Sequence, residues 1–265
     1  NNTANDSVLV HMPSGGMFNS DVDCILSVLL QDCQVTQNVG YLPPNKAGSL
    51  MQLEGTGHGT QITVMWKTVS LTDNGLSTTD VPLLWISNQD NLLVGMKVEM
   101  EVGDCAMDLK APWLGLAAAN QAVFAVNITN TSFLHVPPMA FNMSSANAQV
   151  TFTLQDVILS AQSDSKLAEP TGGSLMLWNN TTPNTILPNT LYLRNVTFSD
   201  STGLAMMTLV NTQFDVTGWT LFHQKTAAMI SFDPKYLLPP RVALRQINSQ
   251  PTSPFNDGVY DVDVI

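Results

Sequence analysis

The chain has 265 residues, 44% hydrophobic and only 12% charged, with 10 Lys and Arg against 21 Asp and Glu and a formal net charge of −11. That balance disfavours nucleic acid and anionic membrane surfaces as partners, since both need clustered basic side chains, and no apolar run reaches the length of a membrane span. With so little charge, hydroxyl and amide groups, and sugar where sequons carry it, must keep the surface wet.

Residues 1–27 read as an N-terminal capping segment. Asn1 to Ser7 has neither the basic start nor the apolar stretch of a leader, the look expected of a secreted chain after cleavage. A short apolar strand, Val8 to Met12, then runs into the turn Pro13-Ser14-Gly15-Gly16.

From Val28 an eight-residue arrangement recurs: apolar, any, apolar, any, small polar, apolar, any, apolar. Its copies begin at Val28, Val64, Met100, Val126, Phe152, Leu191, Phe214 and Val242, the last one degenerate at its end. Alternation at positions one and three is the period of a strand with one buried face, and continuing it would bury position five. Position five instead holds Asp32, Thr68, Asp104, Asn130, Asp156, Asn195, Gly218 and Gln246. Asp, Asn and Gly tolerate a left-handed backbone at least cost, so each copy predicts two short strands joined by a bend that keeps both facing one interior. Position three then forms the column Leu30, Trp66, Val102, Ile128, Leu154, Leu193, Val216, Leu244, and position eight the column Val35, Leu71, Met107, Phe133, Leu159, Phe198, Leu221.

A polar or Gly/Pro-rich loop and a further apolar segment follow most copies: Ser49 to Leu53, Leu83 to Ile86, Met139 to Met143, Ser174 to Leu177, Met206 to Val210 and Ala228 to Phe232. Between Met107 and Val126 the pattern weakens, and Ala111 to Ala119 reads as a helical turn or a loop packed on the side. Helix starts with capping boxes are absent. The repeat closes at about residue 249. Residues 250–265 read as a C-terminal strand or a connection to a further unit. Its alternating stretch Val259 to Ile265 is expected to be covered by more chain or by another copy, because an open apolar end drives edge-to-edge association.

Three short strands per repeat, a spacing near thirty residues and bends at Asn, Asp or Gly point to an all-β chain. The expected form is a right-handed parallel β-helix of about eight rungs over residues 28–249. A sandwich of hairpins would need Asn-Gly or Asp-Gly turns about every ten residues. Only Asn74-Gly75 and Asp257-Gly258 occur. Copies such as TLYLRNVTF, VTFTLQDVIL and AVNITNTSF resemble the rungs of pectin-lyase-like right-handed β-helix proteins. Their Asn/Asp/Thr-rich, sequon-bearing style is similar to large secreted glycoproteins of algae and other protists. The resemblance spans Val28 to Ser249 and implies the solenoid fold, which enzymes and non-enzymes share.

Enzymes of that kind act on acidic polysaccharides through clustered carboxylates, or calcium ligands with an Arg base, on adjacent rungs. In the outward positions two and four Glu101 is the lone acid of its neighbourhood, without the paired carboxylate that glycoside hydrolysis requires. Tyr192, Arg194 and Asp215 form the best outward cluster, and an Arg–Asp pair across strands is more often a surface ion pair. His11, His135 and His223 read as isolated, with no metal-ligand spacing, and His58 in Gly55-Thr56-Gly57-His58-Gly59 lies in a loop without the Lys-Ser/Thr ending of a phosphate loop. No catalytic residue, metal ligand or cofactor is therefore assigned. Sequons stand at Asn1, Asn5, Asn127, Asn130, Asn142, Asn179, Asn180 and Asn195, more than the Ser and Thr content places by chance. Asn127, Asn142, Asn179 and Asn180, on outward or loop positions, are expected to carry more glycan than Asn130 and Asn195, whose bend side chains are expected to turn inward and bond backbone. Cys33 and Cys105 share position six, two rungs and roughly 9.6 Å apart, too far for a disulfide. A Cys24–Cys33 bridge is sterically conceivable, with Cys105 as a buried thiol; three core thiols are the alternative. The functional expectation is a non-catalytic, N-glycosylated structural unit of an extracellular matrix, cell surface or surface filament that associates with itself or a larger assembly. The alternative is a polysaccharide-binding or polysaccharide-cleaving protein.

Overall fold

The computed structural model describes, side chains included, residues 25–36, 50–53, 60–74, 81–87, 96–119, 121–137, 139–160, 176, 178 and 189–198. It adds the backbone of residues 2–4, 10–13, 38–42, 46–48, 54, 161, 177, 179–182, 199, 202–210, 213–222, 225–233, 242–250 and 262–263. Every regular element among them is a β-strand, and nearly every pairing is parallel.

The pairing follows the sequence repeat. Position-one residues are successive Cα partners through all eight copies: Val28, Val64, Met100, Val126, Phe152, Leu191, Phe214 and Val242. These belong to a first strand series that begins Ile25–Gln31, Gln61–Lys67, Lys97–Gly103 and Val123–Thr129. Position eight aligns Val35, Leu71, Met107, Phe133, Leu159, Phe198 and Leu221 in a second series. From Gln149–Ala161 onward a single long strand carries both series across the bend. A third series runs Val10–Pro13, Met51–Glu54, Leu84–Ser87, Leu114–Ala119, Phe141–Ala146, Met176–Thr182, Thr202–Val210, Lys225–Asp233 and Val262–Asp263. Parallel neighbours cannot be joined by hairpins, so each connection passes through the other two series before returning.

The bend at position five has the expected geometry. Asp32, Thr68, Asp104, Asn130, Asp156 and Asn195 all hold φ between 45° and 55°. Main-chain bonds stitch it from both sides: the bend N–H of Asp32, Thr68, Asp104 and Asn130 donates to the position-four carbonyl of the next copy, at 3.0 to 3.3 Å. The position-seven N–H of Ser70, Ala106, Ser132 and Ile158 donates to the position-six carbonyl of the preceding copy. Two further left-handed corners mark the repeat. One is at Asp73 and His135, two residues past position eight; the other is at Gln121 and Asn147, just before the first series, where Gln121 N–H meets Asn147 C=O at 2.7 Å.

Inward side chains of all three series pack into one core. Edge-to-face aromatic contacts link them: Trp66 to Trp113, Trp113 to Phe133 and Phe141, Phe141 to Phe152, Phe152 to Trp178, with centroids 5.1 to 6.4 Å apart. Such pairs add to the burial of large rings that already dominates a core. Several polar groups that enter are bonded: Asn189 accepts from Val150 N–H at 2.8 Å and donates to Ser145 Oγ at 2.6 Å, and Asn74 donates to the Val35 carbonyl. Trp66 Nε1, Trp113 Nε1 and Ser87 Oγ are buried without a hydrogen-bond partner among the described residues.

The structure corrects the sequence reading at Ala111 to Ala119. From Leu114 the stretch is neither helical turn nor loop: Leu114–Ala119 is a third-series strand, in register with Leu84–Ser87 and Phe141–Ala146, entered through the irregular residues Ala111 to Trp113. Small residues hid the alternation, in which Leu114, Leu116 and Ala118 are buried inward. Near the start, Asn38–Leu42 and Lys46–Gly48 make the single antiparallel pair among the described strands. The bends at Gly218 and Gln246, and the inward columns beyond Phe198, lie outside the described side chains. So does most of residues 250–265.

Thr68 is the one β-branched residue at a described bend, and its left-handed φ of 55° costs it more than it costs Asp or Asn. In protein made without glycosylation, Thr68→Asn is expected to raise the unfolding free energy by about 1 kcal/mol. Asn195→Thr should lower it by a similar amount. Denaturant midpoints at unchanged m-value check both.

Candidate functional site

The outward positions of the first two series form the broad described surface. On the first series Leu29, Met65, Glu101, Asn127, Thr153 and Tyr192 stand in one row, each the Cα partner of the next. Glu101 is exposed between Met65 and Asn127. The row-by-row reading missed Glu99, the outward residue two before it, which the period of a strand puts roughly 7 Å away on the same face. Its carboxylate is held by Lys97 Nζ at 2.6 Å, an exposed pair. Of the cluster read from sequence, Tyr192 and Arg194 come together, with the guanidinium 5.9 Å from the ring centroid. Asp215 is the Cα partner of Tyr192, but its side chain lies outside the described residues.

The bend column is the second outward feature, and it overturns the expectation that Asn130 and Asn195 turn inward. Both are exposed. Asn130 Nδ2 donates to Asp104 Oδ1 at 2.6 Å, and Asn195 Nδ2 donates to Asp156 Oδ1 at 2.7 Å. A left-handed residue between two inward-facing strands points its own side chain away from that interior. The partner is therefore the carboxylate of the preceding copy rather than buried backbone.

His135 is not isolated. Its Nδ1 lies 2.7 Å from Asp108 Oδ1, and Lys110 pairs with Asp73 at the neighbouring corner. Both pairs sit at left-handed corner residues, Asp73 and His135, a signal visible in sequence only once the second corner is known. His58 and His223 lie outside the described residues. Among the described residues no group of three or more His, Cys, Asp or Glu is placed to hold a metal ion, and no helix is long and apolar enough to cross a membrane.

Of the sequons, Asn127 is exposed mid-strand and Asn142 half-buried on the third series. Asn179 and Asn180 lie on Met176–Thr182 with side chains outside the described residues, as are Asn1 and Asn5. Cys24 also lies outside them, while Cys33 is half-buried and Cys105 buried.

Cys105 fills a polar need inside the bend. Its Sγ accepts from Val69 N–H at 3.4 Å and donates to the Gly103 carbonyl at 3.1 Å, and Thr131 Oγ1 accepts from Cys105 N–H in the same way one copy later. Desolvation by burial pushes the thiol above its ordinary value, outweighing the opposing backbone hydrogen bonds.

Comparison of the chain with family models, with curated proteins and with solved structures finds no match.

A thiol whose folded pKa is raised contributes stability that is whole below the unfolded value and declines as pH rises from there to the folded value. Stability is expected to fall from about pH 8.5 upward, and Cys105→Ser should remove that part of the loss. Chemical denaturation of both proteins at pH 7 and pH 10 measures it, and native Cys105 should resist a maleimide that labels the unfolded chain.

Proposed function

We propose that the chain is a rigid, non-catalytic structural unit of an extracellular matrix, cell surface or surface filament: a right-handed parallel β-helix of about eight rungs, N-glycosylated and assembling with other copies. The observation that carries this reading is the register, in which the eight sequence copies are successive pairing partners from Val28 to Val242. Sequence and pairing repeat together when one supersecondary unit is stacked on itself. Left-handed corners at three places in the repeat, and aromatic contacts among all three strand series, favour a wound chain over flat sheets. The hand follows the general rule for parallel β crossovers. The pectin-lyase-like resemblance of the copies agrees with it.

Two features support a sugar-coated, assembling unit. Asn127 presents its sequon exposed on a regular strand, where a glycan would disturb no packing. Strand Ile25–Gln31 has a paired neighbour on one side only among the described residues, and it exposes 73% of Ile25 and 58% of Leu29. An apolar edge of that kind suits pairing with a second copy. The alternative, a polysaccharide-binding or polysaccharide-cleaving protein, draws on Glu99 and Glu101 side by side on one outward face.

Native secreted material decides between them. Glycopeptide mass spectrometry is expected to find several of the eight sequons occupied, and electron microscopy to find rods joined into larger particles. Unglycosylated monomers that bind or cleave an acidic polysaccharide, with the activity lost in Glu101→Gln, would overturn the structural reading in favour of the alternative.

A further inference from the structure

The outer face of the third strand series holds an arrangement that the core does not require. Leu84, Ile86, Leu114, Leu116, Phe141 and Met143 are buried inward, so the period of two puts Trp85, Gly115 and Asn142 on the outer face. Register lines them up in one row, Trp85 beside Gly115 and Gly115 beside Asn142. A Cβ on Gly115 would lie 2.3 Å from Trp85 Cε3 and 2.6 Å from Pro82 Cγ. The indole is therefore tipped along the row and covers Gly115, which has room for it only because it lacks a side chain. Gly115 is buried as a result, and Trp85 is half-buried. The next residue in the direction of the tip, one strand spacing or about 4.8 Å on, is Asn142. It opens the sequon Asn142-Met143-Ser144 and is itself half-buried.

We propose that Asn142 carries an N-glycan whose first sugar rests on the Trp85 indole, with Gly115 as the floor that lets the ring lie there. The inference rests on the glycoprotein reading above and adds a docking site for one particular glycan. In the attachment step the Asn142 amide nitrogen loses one proton and bonds the anomeric carbon of the sugar. The leaving group is the pyrophosphate of a lipid-linked oligosaccharide donor. An N-acetylhexosamine ring then presents axial C–H groups and an acetyl methyl, which are attracted to the electron-rich face of an indole and shield it from water. This accounts for a large aromatic ring held on the outside of the molecule, beside a glycine, next to a sequon. The first two residues of the row supply the platform and the third supplies the tether.

The test uses the full chain secreted from a eukaryotic host as wild type, Trp85→Ala, Asn142→Gln, the double variant and Gly115→Ala. Asn142 is expected to be occupied, and the acetyl methyl of its first sugar to show an upfield proton shift from the indole ring current. Trp85→Ala should abolish that shift, and Gly115→Ala should reduce it by pushing the ring off its floor. Asn142→Gln should lower the melting temperature of wild type and leave that of Trp85→Ala unchanged. An occupied Asn142 with an unshifted methyl, or equal melting losses in both backgrounds, overturns the inference and leaves the glycoprotein reading standing. Glycans at other sequons with Asn142 bare overturn it likewise, and a chain with no glycan at any sequon overturns both. If Trp85→Ala fails to fold, the wild-type methyl shift decides alone.

Discussion

The whole arrangement depends on one backbone constraint, a single left-handed residue placed between two strands that must face the same interior. Side chains of a strand alternate, so an uninterrupted strand through position five would send every later apolar residue of the copy outward. One residue at φ near +50° turns the chain and restores the inward phase at positions six and eight. The cost of that conformation falls on the residue that adopts it, roughly 1–2 kcal/mol for an ordinary side chain and less for Asn or Asp. Main-chain bonds offset the cost by joining each bend to the copies before and after it. A bend isolated from its neighbours would lose those bonds, which ties local geometry to the stacking of copies.

Inside the bend the constraint creates a second problem with a specific solution. The position-six N–H points into the core, where an unpaired donor costs on the order of 1–3 kcal/mol. Val69 and Cys105 meet this need with the side chain of the following copy, Cys105 Sγ and Thr131 Oγ1 respectively. A small side chain with an acceptor atom serves at these two places, where Cys and Thr act alike, while Val69, Val157 and Val196 fill the same column position with no acceptor. That explains a buried thiol without invoking redox chemistry.

Much of the strand plan was legible in sequence because its two signals, period-two alternation and a phase break at a left-handed residue, are local. Six bends with positive φ coincide with the small polar residues of the template, and Thr68 shows that stacking holds the bend even where the residue type is unfavourable. What escaped was information carried between copies. Leu114–Ala119 was hidden because Gly115 and the alanines have no apolar or polar signature, and the reason Gly115 must be small lies in Trp85, thirty residues earlier. His135 looked isolated because Asp108 is its neighbour only through the register. Glu99 was missed because it precedes the template by one residue. No spacing in the sequence announced a site, and the outward rows that the template gave hold no clustered catalytic groups among the described residues.

The separation of inside from outside also makes the sequons physically unequal. Outward strand positions are free of the core, so Asn127 can gain a substituent on Nδ2 without giving up any contact that shapes the chain. At the bend the same atom is engaged: Asn130 Nδ2 serves Asp104 and Asn195 Nδ2 serves Asp156. A sugar on Nδ2 leaves that nitrogen one proton rather than two and adds bulk beside the carboxylate of the preceding copy, so glycan and ladder compete for the same space. The contrast does not need a bend asparagine turned inward. It follows from a ladder on the outer surface, where two exposed side chains from adjacent copies already hold each other in place.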